Sequence, residues 1–311
     1  MKLRWNLGAL LSIALVEVIC LLGVVQLQIG SSYQQVATER RRHHVPLYQF
    51  PEGGRSLFPQ YRFVALYGTT DYPELGALGE QPLDASVARV KDLAAQYQTL
   101  TPDHVYPTFE IITTVASGSP TENNDYSQEV DIAKLSSWIK TARESGIYVV
   151  LDLQPGRSDF LSQAKVYKPL LAQPNVGLAL DPEWRLKPDQ VPLKQIGSVD
   201  INEVNQTVEW LSDLTTQFKL PQKLLVLHQF RLDMLPSREQ LDTSHSNLAY
   251  VIQMDGSGGQ PAKQDTWRTI TATPPANVQF GWKNFYHQDN PILDPSSTMS
   301  ITPQPWYVSY Q

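Results

Sequence analysis

The chain has 311 residues, of which 41% are hydrophobic and 10% are aromatic. This apolar content is enough for a sizeable core and argues against intrinsic disorder. The net charge of −6 excludes the positive surface of a nucleic-acid-binding protein. The single cysteine, Cys20, excludes an intramolecular disulfide framework, a CxxC zinc site and a cysteine nucleophile elsewhere in the chain.

Residues 1–30 predict a membrane anchor or a signal segment. Leu7–Val25 is a nearly unbroken apolar run. It approaches the roughly 20 residues that span a bilayer and exceeds the roughly 7–15 residues of a signal peptide's apolar region. Lys2 and Arg4 favour an N-terminus inside the cytoplasm. We therefore expect residues 7–29 to enter the membrane, with the domain that follows outside the cytoplasm, or secreted if the segment is cleaved.

Residues 31–60 predict a basic stalk or linker. Three consecutive arginines, residues 40–42, lie within this segment. Such a segment can contact the anionic headgroups of a membrane surface. Residues 61–311 are then expected to fold as a separate extracytoplasmic domain.

Strands and helices alternate along residues 61–311. Short runs rich in apolar residues predict eight strands: Arg62–Tyr67, Tyr106–Val115, Ile147–Leu153, Val176–Leu180, Lys223–Leu227, Leu248–Met254, Val278–Gly281 and Trp306–Tyr310. Helices are predicted after four of them, at 84–97, 132–142, 159–172 and 204–218. This pattern favours an α/β fold, a (β/α)8 TIM-barrel-like domain. A doubly wound open sheet is the alternative, although no GxGxxG motif follows the first strand.

In such a barrel, functional groups lie at the C-terminal ends of the strands and in the loops beyond them. The side chains at these positions are unusually acidic, and the candidates are Glu110, Asp152, Asp181, Glu183, His228, Arg231, Asp255 and Trp282. The acids also have structural interpretations. Asp152 and Asp255 can cap the segments that follow their strands, and Glu110 can be a buried, paired residue of the barrel interior.

The strongest local signal is Asp181-Pro182-Glu183 at the end of the fourth strand. In an extended segment, residues two apart point to the same side, so both carboxylates are expected to face the barrel mouth. Neighbouring carboxylates disfavour joint ionisation, which raises the pKa of one and prepares a general acid. We predict Glu183 as the proton donor, Asp181 as its pKa-setting neighbour, and Trp184 as an apolar wall or a sugar-stacking ring.

This Asp-x-Glu resembles the motif at the fourth strand end of glycoside hydrolase barrels that cleave N-acetylhexosamine polymers, including the chitinase-like and lysozyme-like families. The resemblance implies that the Glu is the general acid and that the Asp assists it. The chitinase-like pattern has another Asp two residues earlier, where this chain has Ala179, which speaks against the substrate-assisted mechanism. The soluble part is also similar to uncharacterised bacterial envelope proteins with stretches such as LDLQPGRSDF, LALDPEWR, LLVLHQF and GWKNFY.

Hydrolysis by two carboxyl groups needs a second acid, about 5–5.5 Å from the first for retention or about 6.5–9.5 Å for inversion. We expect Asp152 as this nucleophile or base because it ends the adjoining strand, with Asp255 and Glu110 as the other candidates. The expected substrate-binding residues at this face are Glu110, Arg157, Trp184, His228, Arg231, Asp255 and Trp282. His228 equally fits a hydrogen-bonded core residue, and Trp282 a packed one.

The sequence predicts a membrane-anchored, extracytoplasmic, glycoside hydrolase-like enzyme acting on a cell-envelope or environmental glycan. The alternative is a non-catalytic envelope protein of the same fold that binds a glycan or a protein partner. A third hypothesis is a hydrolase of an ester, amide or phosphodiester bond, assisted by a metal ion. The six histidines show no HxH or HExxH spacing, so no metal and no cofactor is predicted.

Overall fold

Eight parallel strands close into a barrel in the computed structural model, which describes Gln26 and residues 47–311. The strands are β1 (Tyr61–Gly68), β2 (His104–Ala116), β3 (Ser127–Glu129), β4 (Tyr148–Leu153), β5 (Val176–Leu180), β6 (Lys223–His228), β7 (Leu248–Met254), β8 (Val278–Asn284) and β9 (Tyr307–Tyr310). β1 pairs with both β2 and β9, which closes the ring. The short β3 lies antiparallel on β2 outside the ring. The eight predicted strands and the TIM-barrel-like fold are confirmed, and the open sheet is wrong.

The helices of the described part follow the strands less regularly. They are α1 (Leu83–Gln98), α2 (Ile132–Glu144), α3 (Phe160–Val166), α4 (Lys168–Leu171), α5 (Ile201–Gln217), α6 (Gln260–Thr271) and α7 (Pro295–Met299). The helix predicted at 159–172 is divided into α3 and α4, because Pro169 lacks the N–H that would continue the ladder. Between β6 and β7 the chain forms two 3-10 turns, Leu232–Met234 and Arg238–Gln240.

The predicted anchor, residues 7–29, lies outside the described residues apart from Gln26, as does most of the predicted stalk, residues 31–60. In the described part of the chain, no helix has the length and the apolar character needed to cross a membrane. Tyr48–Gln311 form one compact unit. Phe50, which precedes the first strand, is buried in this unit against aromatic side chains of the barrel.

The strands are buried on both faces. Their outward side chains pack against the helices, as Leu151 of β4 does in the main apolar core. In α2, Leu135 and Ile139 are buried on this core, and the side chain of Asp131 caps the first turn by accepting backbone N–H bonds. Strands covered on both sides read as continuous apolar runs, which is why they were predictable from the sequence.

The inward side chains change character along the barrel axis. Inward positions follow every second residue of a strand. Near the N-terminal ends of the strands, Phe63, Tyr106 and Tyr148 pack their rings edge to face or stacked. Thr108 and Val150 are the next inward residues on the strands of Tyr106 and Tyr148. The inward residues after them are Glu110 and Asp152. The apolar core therefore fills the base of the barrel, and the polar groups converge at the opposite end.

Candidate active site

His228 lies at the centre of a buried carboxylate cluster in the C-terminal half of the barrel. Its Nδ1 lies 2.8 Å from Oδ2 of Asp255, and its Nε2 lies 2.8 Å from Oε1 of Glu110. Oδ1 of Asp152 lies 3.9 Å from the same Nε2. Glu110 lies within β2 and Asp152 near the end of β4, while His228 ends β6 and Asp255 directly follows β7. The closed barrel thus brings together residues that are far apart in sequence.

The surrounding carboxylates keep His228 protonated. Burial alone disfavours the imidazolium, but Asp152, Asp255 and Glu110 together raise the pKa of His228 well above 6.5. Both ring nitrogens then donate hydrogen bonds, Nδ1 to Asp255 and Nε2 to Glu110. A fixed positive charge thus stands inside the barrel and compensates part of the buried negative charge.

Asp152 is enclosed beneath the open part of the site. Its side chain is fully buried, and its Oδ2 accepts a hydrogen bond of 3.0 Å from the hydroxyl of Tyr67. Burial raises the pKa of Asp152 to about 6; Glu110 adds to this shift and His228 opposes it. Such a position does not suit the expected nucleophile or base, because an enclosed carboxylate cannot reach a substrate.

A cleft of about 360 Å³ opens above this cluster. Its lining residues are Tyr67, Asp181, Glu183, Trp184, Phe230, Asp255, Gly256, Ser257, Ala262, Lys263, Thr266, Lys283, Phe285 and Gln311. The volume falls within the range of small-molecule sites, roughly 300–1,000 Å³. Among the predicted site residues, Asp181, Glu183, Trp184 and Asp255 are the ones that line it.

Glu183 is an acid with a raised pKa on the wall of the cleft. Burial raises the pKa of Glu183 to about 7, and the charge of Asp255 adds to the shift, whereas Lys283 opposes it. The pKa of Asp181 is also raised well above its usual value, first by burial and then by Asp152 and Asp255. Both groups therefore favour the neutral acid more than a free carboxyl group does.

The expected local geometry at Asp181 is wrong, although both carboxyl groups reach the cleft. A 3-10 turn over Pro182–Trp184 begins directly after Asp181, whose Oδ1 accepts the backbone N–H of Glu183 at 3.1 Å. The segment is therefore not extended, and the alternation of a strand does not apply. The charge of Asp255 raises the pKa of Glu183, and the charge of Glu183 in turn raises the pKa of Asp181.

Trp282, a predicted substrate-binding residue, belongs to the core. It is fully buried, its ring packs edge to face on Trp267 at 5.6 Å, and its Nε1 donates to Oδ1 of Asn284 at 2.9 Å. The residue after it, Lys283, lines the cleft instead. Sequence reasoning missed Lys283, although the inward positions Gln279, Gly281 and Lys283 were available from the two-residue period of the strand.

The two predicted substrate-binding arginines lie outside the cleft lining. Nε of Arg157 donates to the carbonyl oxygen of Gln190 at 2.9 Å, and its guanidinium lies 4.3 Å from the centre of the Tyr126 ring. Arg231 is exposed and pairs with Asp233 two residues later. Arg157 is thus held by two neighbouring loops and Arg231 by its own, and neither lines the cleft.

Asp181, His228 and Asp255 offer three possible metal-ligand atoms within 4.8 Å of one another. Both ring nitrogens of His228 are already engaged, Nδ1 with Asp255 and Nε2 with Glu110. A metal ion would have to displace one carboxylate from the ring and remove a proton from it. The donor set therefore fits a network of imidazolium and carboxylates better than a metal centre.

No protein-family model matches this chain, and no curated protein matches it either. These comparisons show no link to the glycoside hydrolase barrels or to envelope proteins.

Proposed function

We propose that the cleft hydrolyses a glycosidic bond by acid–base catalysis, with Glu183 as the proton donor. The observation that carries this proposal is the presence in one cleft of two carboxyl groups in different environments. Glu183 has a pKa of about 7, whereas Asp255 is paired with the buried imidazolium of His228. Glycosidic hydrolysis uses such a pair, one group protonated and the other ionised.

The two groups have separate tasks in this mechanism. Glu183 gives its proton to the leaving oxygen as the glycosidic bond breaks. Oδ2 of Asp255 is held by His228, and its Oδ1 has no hydrogen-bond partner in the described part of the chain. That oxygen is itself buried, so Asp255 is suited to stabilise the positive charge on the sugar by its own charge rather than to activate water. Asp255 thus replaces Asp152 as the second carboxyl group of the proposed site.

The aromatic lining of the cleft supports a sugar as the substrate. Trp184, Phe230 and Phe285 contribute rings to a site whose other walls are carboxyl groups and a lysine. Aromatic faces cover the apolar C–H faces of a sugar, while charged groups accept or donate hydrogen bonds to its hydroxyls. A cell-envelope or environmental glycan is the substrate class that we propose.

The test is the release of reducing ends by the full-length chain across a panel of neutral and acidic envelope glycans. Glu183→Gln should lower kcat by about 10²-fold or more, because the amide cannot give up a proton. An aryl glycoside with a good leaving group should be far less affected, since its departure needs no proton. The matched control is Glu144→Gln, on the exposed surface of α2, which should leave kcat unchanged.

Two outcomes would contradict this function. Unchanged cleavage by Glu183→Gln would remove the assigned proton donor. Glycan binding without cleavage by the wild type would favour the non-catalytic binding protein instead.

We also propose that residues 7–29 anchor the protein in a membrane with the barrel outside the cytoplasm. The support is the apolar run Leu7–Val25 behind Lys2 and Arg4. Protein that resists alkaline carbonate extraction and is digested by protease added outside spheroplasts would agree with it. Protection from that protease would contradict the orientation.

A further inference from the structure

Lys283 is a buried residue whose ammonium group forms no ion pair within the described part of the chain. The residue is 2% exposed, and its Nζ lies 3.2 Å from the centre of the Tyr67 ring and 5.4 Å from that of Phe285. Among the described residues, no carboxylate oxygen lies within 4.0 Å of this Nζ, and no acceptor takes a hydrogen bond from it. Lys283 lines the cleft, and its ammonium group has no acceptor among the described residues. Its N–H groups are therefore available to a ligand there.

The other charges of the cleft are matched or suppressed within the chain. Nζ of Lys263 donates to Oδ2 of Asp289 at 2.5 Å. Asp255 shares the imidazolium of His228 with Glu110. Asp181 and Glu183 have raised pKa values and favour the neutral acid. Within the described lining, Lys283 is consequently the cation left for an external anion.

The N-terminus of α6 lies beside Lys283, where Nζ of Lys263 donates to the carbonyl oxygen of Lys283 at 2.7 Å. The first turn of α6 contributes Ala262 and Lys263 to the cleft, and the residue before this helix, Gly259, supplies no side-chain cap. The loop that leads into it adds the exposed Ser257. A helix N-terminus favours negative charge, so it reinforces the attraction of the ammonium group.

We propose that Lys283 binds the carboxylate of an acidic sugar, so that the cleft selects a glycan containing a hexuronic acid. This inference rests on the proposed glycosidic hydrolysis and names its substrate class. One monoanionic carboxylate matches one ammonium group. A phosphate dianion would leave excess negative charge beside Asp181, Glu183 and Asp255, which makes it the poorer ligand.

The experiment compares two probes on the full-length Glu183→Gln protein, which should bind without consuming them. The probes are a hexuronic acid trisaccharide and its carboxyl-reduced counterpart, titrated by calorimetry. The acidic probe should bind about tenfold more tightly or better, as expected for a charge-assisted hydrogen bond in a buried site. A further Lys283→Met substitution should abolish this preference, and Lys283→Arg should retain part of it.

Lys140→Met provides the matched control. Lys140 is exposed on α2, so its substitution removes one positive charge away from the cleft and should leave the preference intact. Thermal unfolding of each variant shows whether it is folded, and Lys283→Arg tests the charge requirement even if Lys283→Met is unstable.

Several results would overturn the inference: equal affinity for both probes, no binding of the acidic probe, or full preference retained by Lys283→Met. Tighter binding of a sugar phosphate than of the hexuronic acid would reassign the subsite to phosphate and overturn the carboxylate. The two proposals fail differently. Binding that depends on Lys283 without cleavage by the wild type removes the hydrolysis alone, whereas cleavage restricted to neutral glycans removes the hexuronic acid subsite alone.

Discussion

Nδ1 of His228 and Oδ2 of Asp255 lie 2.8 Å apart, and this contact joins the enclosed interior of the barrel to its open cleft. Asp255 lines the cleft, whereas His228 is fully buried. A substrate can therefore meet the carboxylate but not the imidazole ring that holds it in place. Glu110, on the other side of the ring, fixes the imidazole plane through Nε2. The orientation of Asp255 is thus set from inside the barrel.

The first prediction concerns stability against pH. The pKa of Glu183 is about 7 in the folded protein and 4.5 in the unfolded chain, so the folded state binds the extra proton between these values. The resulting stability is present below pH 4.5 and is lost as the pH rises to about 7. Glu183→Gln has no such proton to lose. The free energy of unfolding of Glu183→Gln should therefore rise relative to that of the wild type as the pH increases from 4.5 to about 7.

Denaturant unfolding at pH 4.5, 6 and 7.5 measures this difference between wild type and variant. Glu144→Gln, on the exposed face of α2, should show a constant difference from the wild type. A wild type that gains stability over Glu183→Gln as the pH rises would contradict the raised pKa.

The second prediction concerns activity against pH. A proton donor works only while protonated, so kcat/KM should fall as the pH rises through about 7, the pKa of Glu183. Lys283 lowers the pKa of Glu183 by its charge. Removing that charge in Lys283→Met should move the alkaline limb to higher pH, measured on a neutral glycan whose leaving oxygen needs the proton of Glu183. A limb that stays in place would show that Glu183 does not control it.

The fold was predictable because its strands are continuous apolar runs. Ile147–Leu153 shows this, since a strand covered on both faces needs few polar residues before its end. α6 was not predicted, and the reason lies in its composition: apart from Lys263, only Trp267 and Ile270 of this helix are buried. A helix with so short an apolar stripe has little periodic signal.

The candidate site was predictable only in part. The ends of parallel strands meet at one face of a barrel, so the arrival of Glu183 and Asp255 in one cleft follows from topology. Depth does not follow from sequence: Asp152 is within β4 and is enclosed, while Asp255 lies just beyond β7 and reaches the cleft. Whether a carboxyl group at a strand end can contact a ligand depends on its depth in the barrel. That depth varies from strand to strand because the strands of a barrel are tilted and staggered.

The third prediction is that Lys283→Met stabilises the protein in the absence of ligand. The Lys283 side chain is buried and its Nζ has no acceptor among the described residues, and the Tyr67 ring face offsets only part of the cost of placing the charge there. Replacement by an apolar chain of similar length should raise the free energy of unfolding by about 1–2 kcal/mol. Denaturant titration measures it, with Lys140→Met as the surface control that should change little. A marked loss of stability in Lys283→Met would show that the ammonium group has a structural task.

The fourth prediction separates the two tryptophans that the sequence placed in the same site. Trp282 is enclosed between β8 and α6 and contacts Trp267, so Trp282→Ala should lower the free energy of unfolding by about 3–5 kcal/mol. Trp184 is partly exposed on the cleft wall, so Trp184→Ala should cost less than about 1 kcal/mol. The same Trp184→Ala change should weaken glycan binding, because a stacking face is lost. Calorimetric titration and denaturant unfolding of both variants decide between these tasks. A stable Trp282→Ala with impaired binding would return Trp282 to the site, and unimpaired binding by Trp184→Ala would remove Trp184 from it.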